Sequence, residues 1–165
     1  MNAAEVLEKV VKSYMVYYDV KYEDVTPPFA AEAEFHSHDT KFFLVRSATL
    51  GESESNEYVY FAAVEKLDMN TLKKLDEAAW NAGMARIKPH KDHKNSDITL
   101  IITADHITNE AFSAVKRLKR YKSYQFTTQG WTHYHLIAQE SSSGRLTYNR
   151  QGQDLKKLFR NMKTP

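Results

Sequence analysis

The chain contains no cysteine. That excludes a disulfide framework, a thiol nucleophile and a Cys-based zinc site, and it is compatible with a reducing compartment. Glycine is scarce, with five residues at positions 51, 83, 130, 144 and 152. No glycine-rich loop is therefore available to cradle a phosphate, and no GxSxG elbow presents a serine. ATP, GTP and dinucleotide cofactors are not expected. Long apolar runs are also missing: none reaches the roughly 20 residues that a membrane helix needs. The opening stretch, MNAAEVLEKVVKSYMVYY, breaks its apolar residues with Glu5, Glu8, Lys9 and Lys12, so it lacks a secretory core. A cytoplasmic location without a membrane partner is expected. Nor does one charge sign dominate. The net charge of +2 is too mild to imply a polyanionic partner unless the cations cluster.

What is present is an ordinary globular composition. At 165 residues, 42% hydrophobic and 27% charged, the chain fits a single domain over 1–165 that buries a core without staples. Leu7, Val10, Val11, Tyr14 and Tyr18 recur at helical spacing, which predicts an amphipathic helix over 3–18. Pro27-Pro28 opens an extended segment. Strands are expected at 32–35, 41–50 and 58–65, joined by short polar connections as an antiparallel meander.

The pattern then changes to alternating helices and strands. Leu72, Leu75, Ala79 and Ala82 mark a helix over 70–86, with Asp68 or Asn70 as its N-cap. DITLIITA (97–104) reads as a strand buried on both faces. Thr108 caps a helix whose inward stripe is Phe112, Val115, Leu118 and Tyr121. GWTHYHLIAQE (130–140) and RLTYN follow as strands, and a last helix over 153–162 buries Leu155, Leu158, Phe159 and Met162. The fold class is thus α/β: one mixed sheet of about six strands, an antiparallel meander followed by βαβαβ, with helices on both faces.

Five stretches, in order, carry a resemblance: AEFHSHDTKFFLVRSATL, NEYVYF, KPHKDH with ITLII, YKSYQF with GW, and NRQGQDLKKLF. Together they resemble a widespread family of uncharacterised bacterial proteins, which implies a bacterial cytoplasmic setting and no mechanism. The order of elements is also similar, in topology alone, to the restriction-endonuclease-like core. That core requires an acid on its second strand and an acid-x-Lys on its third. KFFLVRSATL carries no carboxylate, and neither Glu57 nor the adjacent Glu65-Lys66 has the required spacing.

Candidate chemistry falls into three groups. The histidine pairs His36/His38, His90/His93 and His133/His135 are the first. Two imidazoles two apart on a strand share a face, and imidazole suits divalent transition metals. His36, His90 and His93 are the metal-ligand candidates, with Glu34 as the carboxylate partner; the plain alternative is a solvated loop. Second, Glu34 and Glu57 are general acid or base candidates, because apolar surroundings raise a carboxylate's pKa. Structurally, they would instead be paired with Arg46 or a backbone amide. Third, Lys116, Arg117, Lys119, Arg120 and Lys122 crowd a helix expected over 114–122, with Tyr124, Phe126 and Trp131 nearby for stacking. Such a stripe suits nucleic acid, or is simply a solvated face.

Three functions follow: a non-catalytic domain binding a macromolecule such as nucleic acid; a metal-dependent hydrolase; or a structural, homo-oligomerising module using Tyr14, Tyr17, Tyr18 and Tyr22.

Overall fold

In the computed structural model, residues 1–36, 54–88, 93–124 and 130–162 are described. The strands expected at 41–50 and the His90 loop lie outside them. Helix α1 (Ala3–Tyr14) comes first, capped by the Asn2 side chain, which accepts from the Glu5 N–H. Strands β1 (Asp19–Lys21), β2 (Ala31–His36) and β3 (Glu54–Leu67) follow. Then come α2 (Met69–Arg86), β4 (His93–Ile107), α3 (Asn109–Arg117), β5 (Tyr121–Ser123), β6 (Trp131–Glu140) and β7 (Leu146–Tyr148). A 3₁₀ helix spans Gln153–Met162.

Among the described residues, the strands form one sheet in the order β1-β2-β3-β4-β6-β5, with β7 also on β6. β1, β2 and β3 pair antiparallel, whereas β3, β4 and β6 are parallel. β5 and β7 occupy opposite ends of the same β6 edge, at 131–133 and 137–139. This is the mixed α/β sheet that the alternating pattern implies. No described helix is long and apolar enough to cross a membrane.

The parallel strands are buried on both faces, as the uninterrupted run Ile98 to Ile102 demands. On one face Tyr58, Tyr60, Leu100, Ile102 and Leu136 pack against Leu72, Leu75 and Ala79 of α2 and Val115 of α3. On the other, Val59, Phe61, Ile101 and Ile137 meet Val6, Val10 and Tyr14 of α1 and Phe159 of the 3₁₀ helix. The expected caps are present: Asp68 accepts from the Thr71 N–H at 2.8 Å and Thr108 from the Ala111 N–H at 3.2 Å.

Several boundaries differ from the sequence-based expectation. Helix α1 ends at Tyr14, and the following turn still carries Tyr18 inward. The helix expected over 114–122 stops at Arg117, where Leu118 turns extended. The reason is competition from tertiary pairing: Tyr121–Ser123 join the edge of β6, so Tyr121 is exposed rather than inward. The C-terminal segment is 3₁₀ rather than α-helical, and it still buries Phe159.

Candidate functional site: a carboxylate–histidine cleft

Strand alternation sorts the predicted residues before any chemistry is considered. Glu57 lies opposite Phe35 and beside Asp97, whereas Glu34 lies opposite Tyr58. The two carboxylates expected to act together therefore occupy opposite faces of the sheet.

On the α2 face, Glu34 pairs with Arg86, whose guanidinium also stacks over Tyr58 at 4.9 Å. His36 Nε2 lies 3.2 Å from Glu34, and its Nδ1 is 2.6 Å from Asn56 Oδ1. Neighbouring Glu32 is buried. Burial alone would raise its pKa, but the Thr26 N–H, Lys21 and Arg86 bring it below the ordinary carboxylate value. Glu34 is thus an ion-paired carboxylate, with Arg86 in the role considered for Arg46. His90 lies outside the described residues, and His93 opens β4 beside Glu54. Among the described residues, no three His, Asp or Glu side chains are grouped as a metal site requires.

On the α1 face a different set converges. β3 supplies Glu57, β4 supplies Asp97 and Thr99, and β6 supplies His135, with Glu57 beside Asp97 and Thr99 beside His135. Glu57 accepts from the Tyr18 hydroxyl and, at 2.7 Å, from Thr99 Oγ1. Tyr18 is set by ring contacts with Tyr14 at 4.7 Å and Phe35 at 5.5 Å. Burial raises the Glu57 pKa. The Tyr18 and Thr99 hydrogen bonds oppose that rise, the nearby Asp97 carboxylate adds to it, and the net shift is upward.

His135 is held from both sides. Its Nδ1 lies 2.6 Å from the Gln151 carbonyl, so Nδ1 carries the proton. Its Nε2 then faces Asp97 Oδ1 at 3.2 Å, without the alignment of a hydrogen bond. Burial would lower the His135 pKa, but Asp97, the Gln151 carbonyl and Glu57 together raise it.

Tyr18, Glu57, Asp97 and His135 line an open cleft of about 420 Å³ between the end of α1, the 3₁₀ helix and the sheet. Asp154 and Lys157 border it from the 3₁₀ helix. The approach of that helix depends on Gly152, since a Cβ there would lie 2.3 Å from the Leu136 carbonyl oxygen. Asn149 fixes the preceding turn. It is 2% exposed and accepts from Leu136 N–H at 3.0 Å and Gly152 N–H at 2.8 Å. It also donates to the carbonyls of Leu118 at 3.1 Å and Tyr134 at 3.0 Å.

With this geometry in view, comparison with known proteins adds one finding. A family described as "Domain of unknown function (DUF8052)" matches residues 2–161. The chain belongs to that family. No curated protein and no solved structure matches it. Membership in this domain family spans almost the whole chain and carries no assigned activity, so the chemistry must be argued from the side chains.

The basic segment is rearranged relative to expectation. Arg120 forms a two-pronged ion pair with Asp76, at 3.0 and 2.8 Å, and its guanidinium sits 5.6 Å from the Trp80 ring. Lys116 lies over Phe112 at 5.3 Å. Lys116, Arg117, Lys119 and Lys122 are exposed, but they straddle a helix end and an edge strand rather than one helical face. The tyrosine-rich helix is divided too: Tyr14 is buried and Tyr18 faces the cleft, while Tyr17 and Tyr22 are exposed.

Sequence reasoning found Glu57 but not its partners Asp97, His135, Thr99 and Tyr18 as a set. The available signal was His133-x-His135, whose shared face the alternation of β6 confirms. Gly130, just before β6, adopts a positive φ of 89°.

Proposed function

We propose that the cleft is a general acid–base site acting on a small polar substrate by hydrolysis, with Glu57 and His135 as the proton-transfer groups. The observation that carries this reading is the pairing of two perturbed groups on one cleft wall. A carboxyl raised by burial stands near an imidazole raised by a carboxylate, both lining a space open to solvent. Burial raises the Glu57 pKa, and the Asp97 carboxylate raises that of His135. Asp97 acts as the positioning residue for His135, and Tyr18 and Thr99 orient the Glu57 carboxyl. Water entering the cleft is the nucleophile: ionised Glu57 takes its proton, and protonated His135 gives a proton to the leaving group.

The test is a panel of p-nitrophenyl esters, glycosides and phosphate esters, assayed with the wild-type chain, Glu57→Gln and His135→Gln. Turnover of at least one class by the wild type, reduced about 10²–10⁴-fold in both variants, supports the site. Turnover that neither substitution affects, or no turnover of any class, overturns it.

A further inference from the structure

The face that carries Glu57 and His135 continues one strand further into aromatic rings. His133 lies beside Asp97 in the β4–β6 register, and Tyr121 lies beside His133 on β5. Alternation along β6 puts Trp131 and His133 on the same face as His135. The Tyr121 and His133 ring centroids are 5.3 Å apart, and those of Trp131 and His133 are 6.3 Å apart. Tyr121 is 56% exposed, and the other two rings are half-buried. None of the three belongs to the core cluster that α1 and the 3₁₀ helix cover. A run of rings left at a sheet edge is a stacking platform in search of flat partners.

Cations lie across the same sheet edge, on its other side. Lys116, Arg117, Lys119 and Lys122 are exposed and form no ion pair among the described residues, in contrast to Arg120. Lys122 lies opposite Thr132 and alternates with Tyr121, so the strand edge presents rings on one side and charge on the other. Single-stranded nucleic acid has the matching chemistry, with unstacked π-faces for the rings and phosphates for the cations. A duplex hides its base faces and would use only the cations.

We propose that the β5–β6 edge binds single-stranded nucleic acid, stacking bases on Tyr121, His133 and Trp131 with phosphates along the segment from Lys116 to Lys122. The site requires none of Glu57, Asp97 or His135, so it stands or falls separately from the acid–base reading.

Fluorescence anisotropy with the full chain and a fluorescein-labelled oligo(dT) of about 15 nucleotides tests it. Contact with three phosphates predicts affinity falling about 20-fold between roughly 50 and 200 mM salt. Tyr121→Ala, at an exposed position that leaves the fold intact, is expected to weaken binding by about 5- to 150-fold, the loss of one stacked base. Lys119→Glu with Lys122→Glu is expected to flatten the salt dependence. Trp131→Phe, which keeps a ring, is expected to retain most of the binding. The proposal is overturned if oligo(dT) does not bind at the lower salt. Unchanged affinity in Tyr121→Ala, or a duplex of the same length binding equally well, overturns it too.

Discussion

Replacing Asn149 with alanine is predicted to loosen the turn that holds the cleft together. The side chain makes four hydrogen bonds, joining β6 to the turn at Gly152 and to the segment after α3. In Asn149→Ala the Gly152 N–H keeps a partner, the Asn149 backbone carbonyl at 3.1 Å. The other three bonds have no substitute in a site that is 2% exposed. At about 1 kcal/mol each, their loss costs about 3 kcal/mol, and the desolvated groups left behind push the figure toward 5 kcal/mol. Against a typical domain stability of about 5–15 kcal/mol this is a large fraction. The corresponding fall in Tm is about 6–20 °C for a chain of this size. Urea unfolding followed by circular dichroism measures it directly. Asn149→Asp sharpens the test: it keeps both acceptor bonds but sets an oxygen against the Leu118 and Tyr134 carbonyls. Protonation restores one donor, so this variant is expected to regain stability as pH falls through the carboxylate range. A loss below about 1 kcal/mol in Asn149→Ala, with an unchanged urea slope, would refute the reasoning.

Three further perturbations probe other parts of the account. Glu57 has a folded pKa above its ordinary value of 4.5, so the native state binds the proton more tightly than the unfolded chain. Its contribution to stability is present below that value and is lost as pH rises through the folded pKa. Urea unfolding of Glu57→Gln across this window should lack that slope; parallel curves would contradict it. Gly152→Ala forces a methyl group against the Leu136 carbonyl oxygen and should cost about 1–3 kcal/mol in urea unfolding. Arg120→Ala leaves Asp76 nearly buried without its cation and should cost about 1–3 kcal/mol, discounted because Arg120 is partly exposed. A double-mutant cycle with Asp76→Ala should recover most of that loss.

The elements that sequence reasoning reached are those whose signal is local. The apolar spacing of Leu7, Val10, Val11 and Tyr14, the β-branched run after Ile98, and the caps Asp68 and Thr108 need no knowledge of distant residues. The helix end at Arg117 was hidden for the opposite reason. Leu118 continues the three-residue spacing of Phe112 and Val115, while the forces that end the helix come from β6 and from Asp76, 44 residues away from Arg120. The site shows the same division. Glu57 was visible as a carboxylate in apolar company. Its neighbours arrive through the register of parallel strands, 42 residues away for Thr99, and no spacing motif encodes that. His133 and His135 looked alike as a pair on one face. Yet one ring stacks with Tyr121 and Trp131, and the other joins Asp97 to the Gln151 carbonyl.

The most direct test of the coupled site is an NMR pH titration of the His135 imidazole in the wild type, Asp97→Asn and Glu57→Gln. The account predicts a wild-type pKa above the ordinary 6.5, falling in both variants and further in Asp97→Asn, because Asp97 is the closer charge. A His135 that titrates at its ordinary value and responds to neither substitution would contradict it.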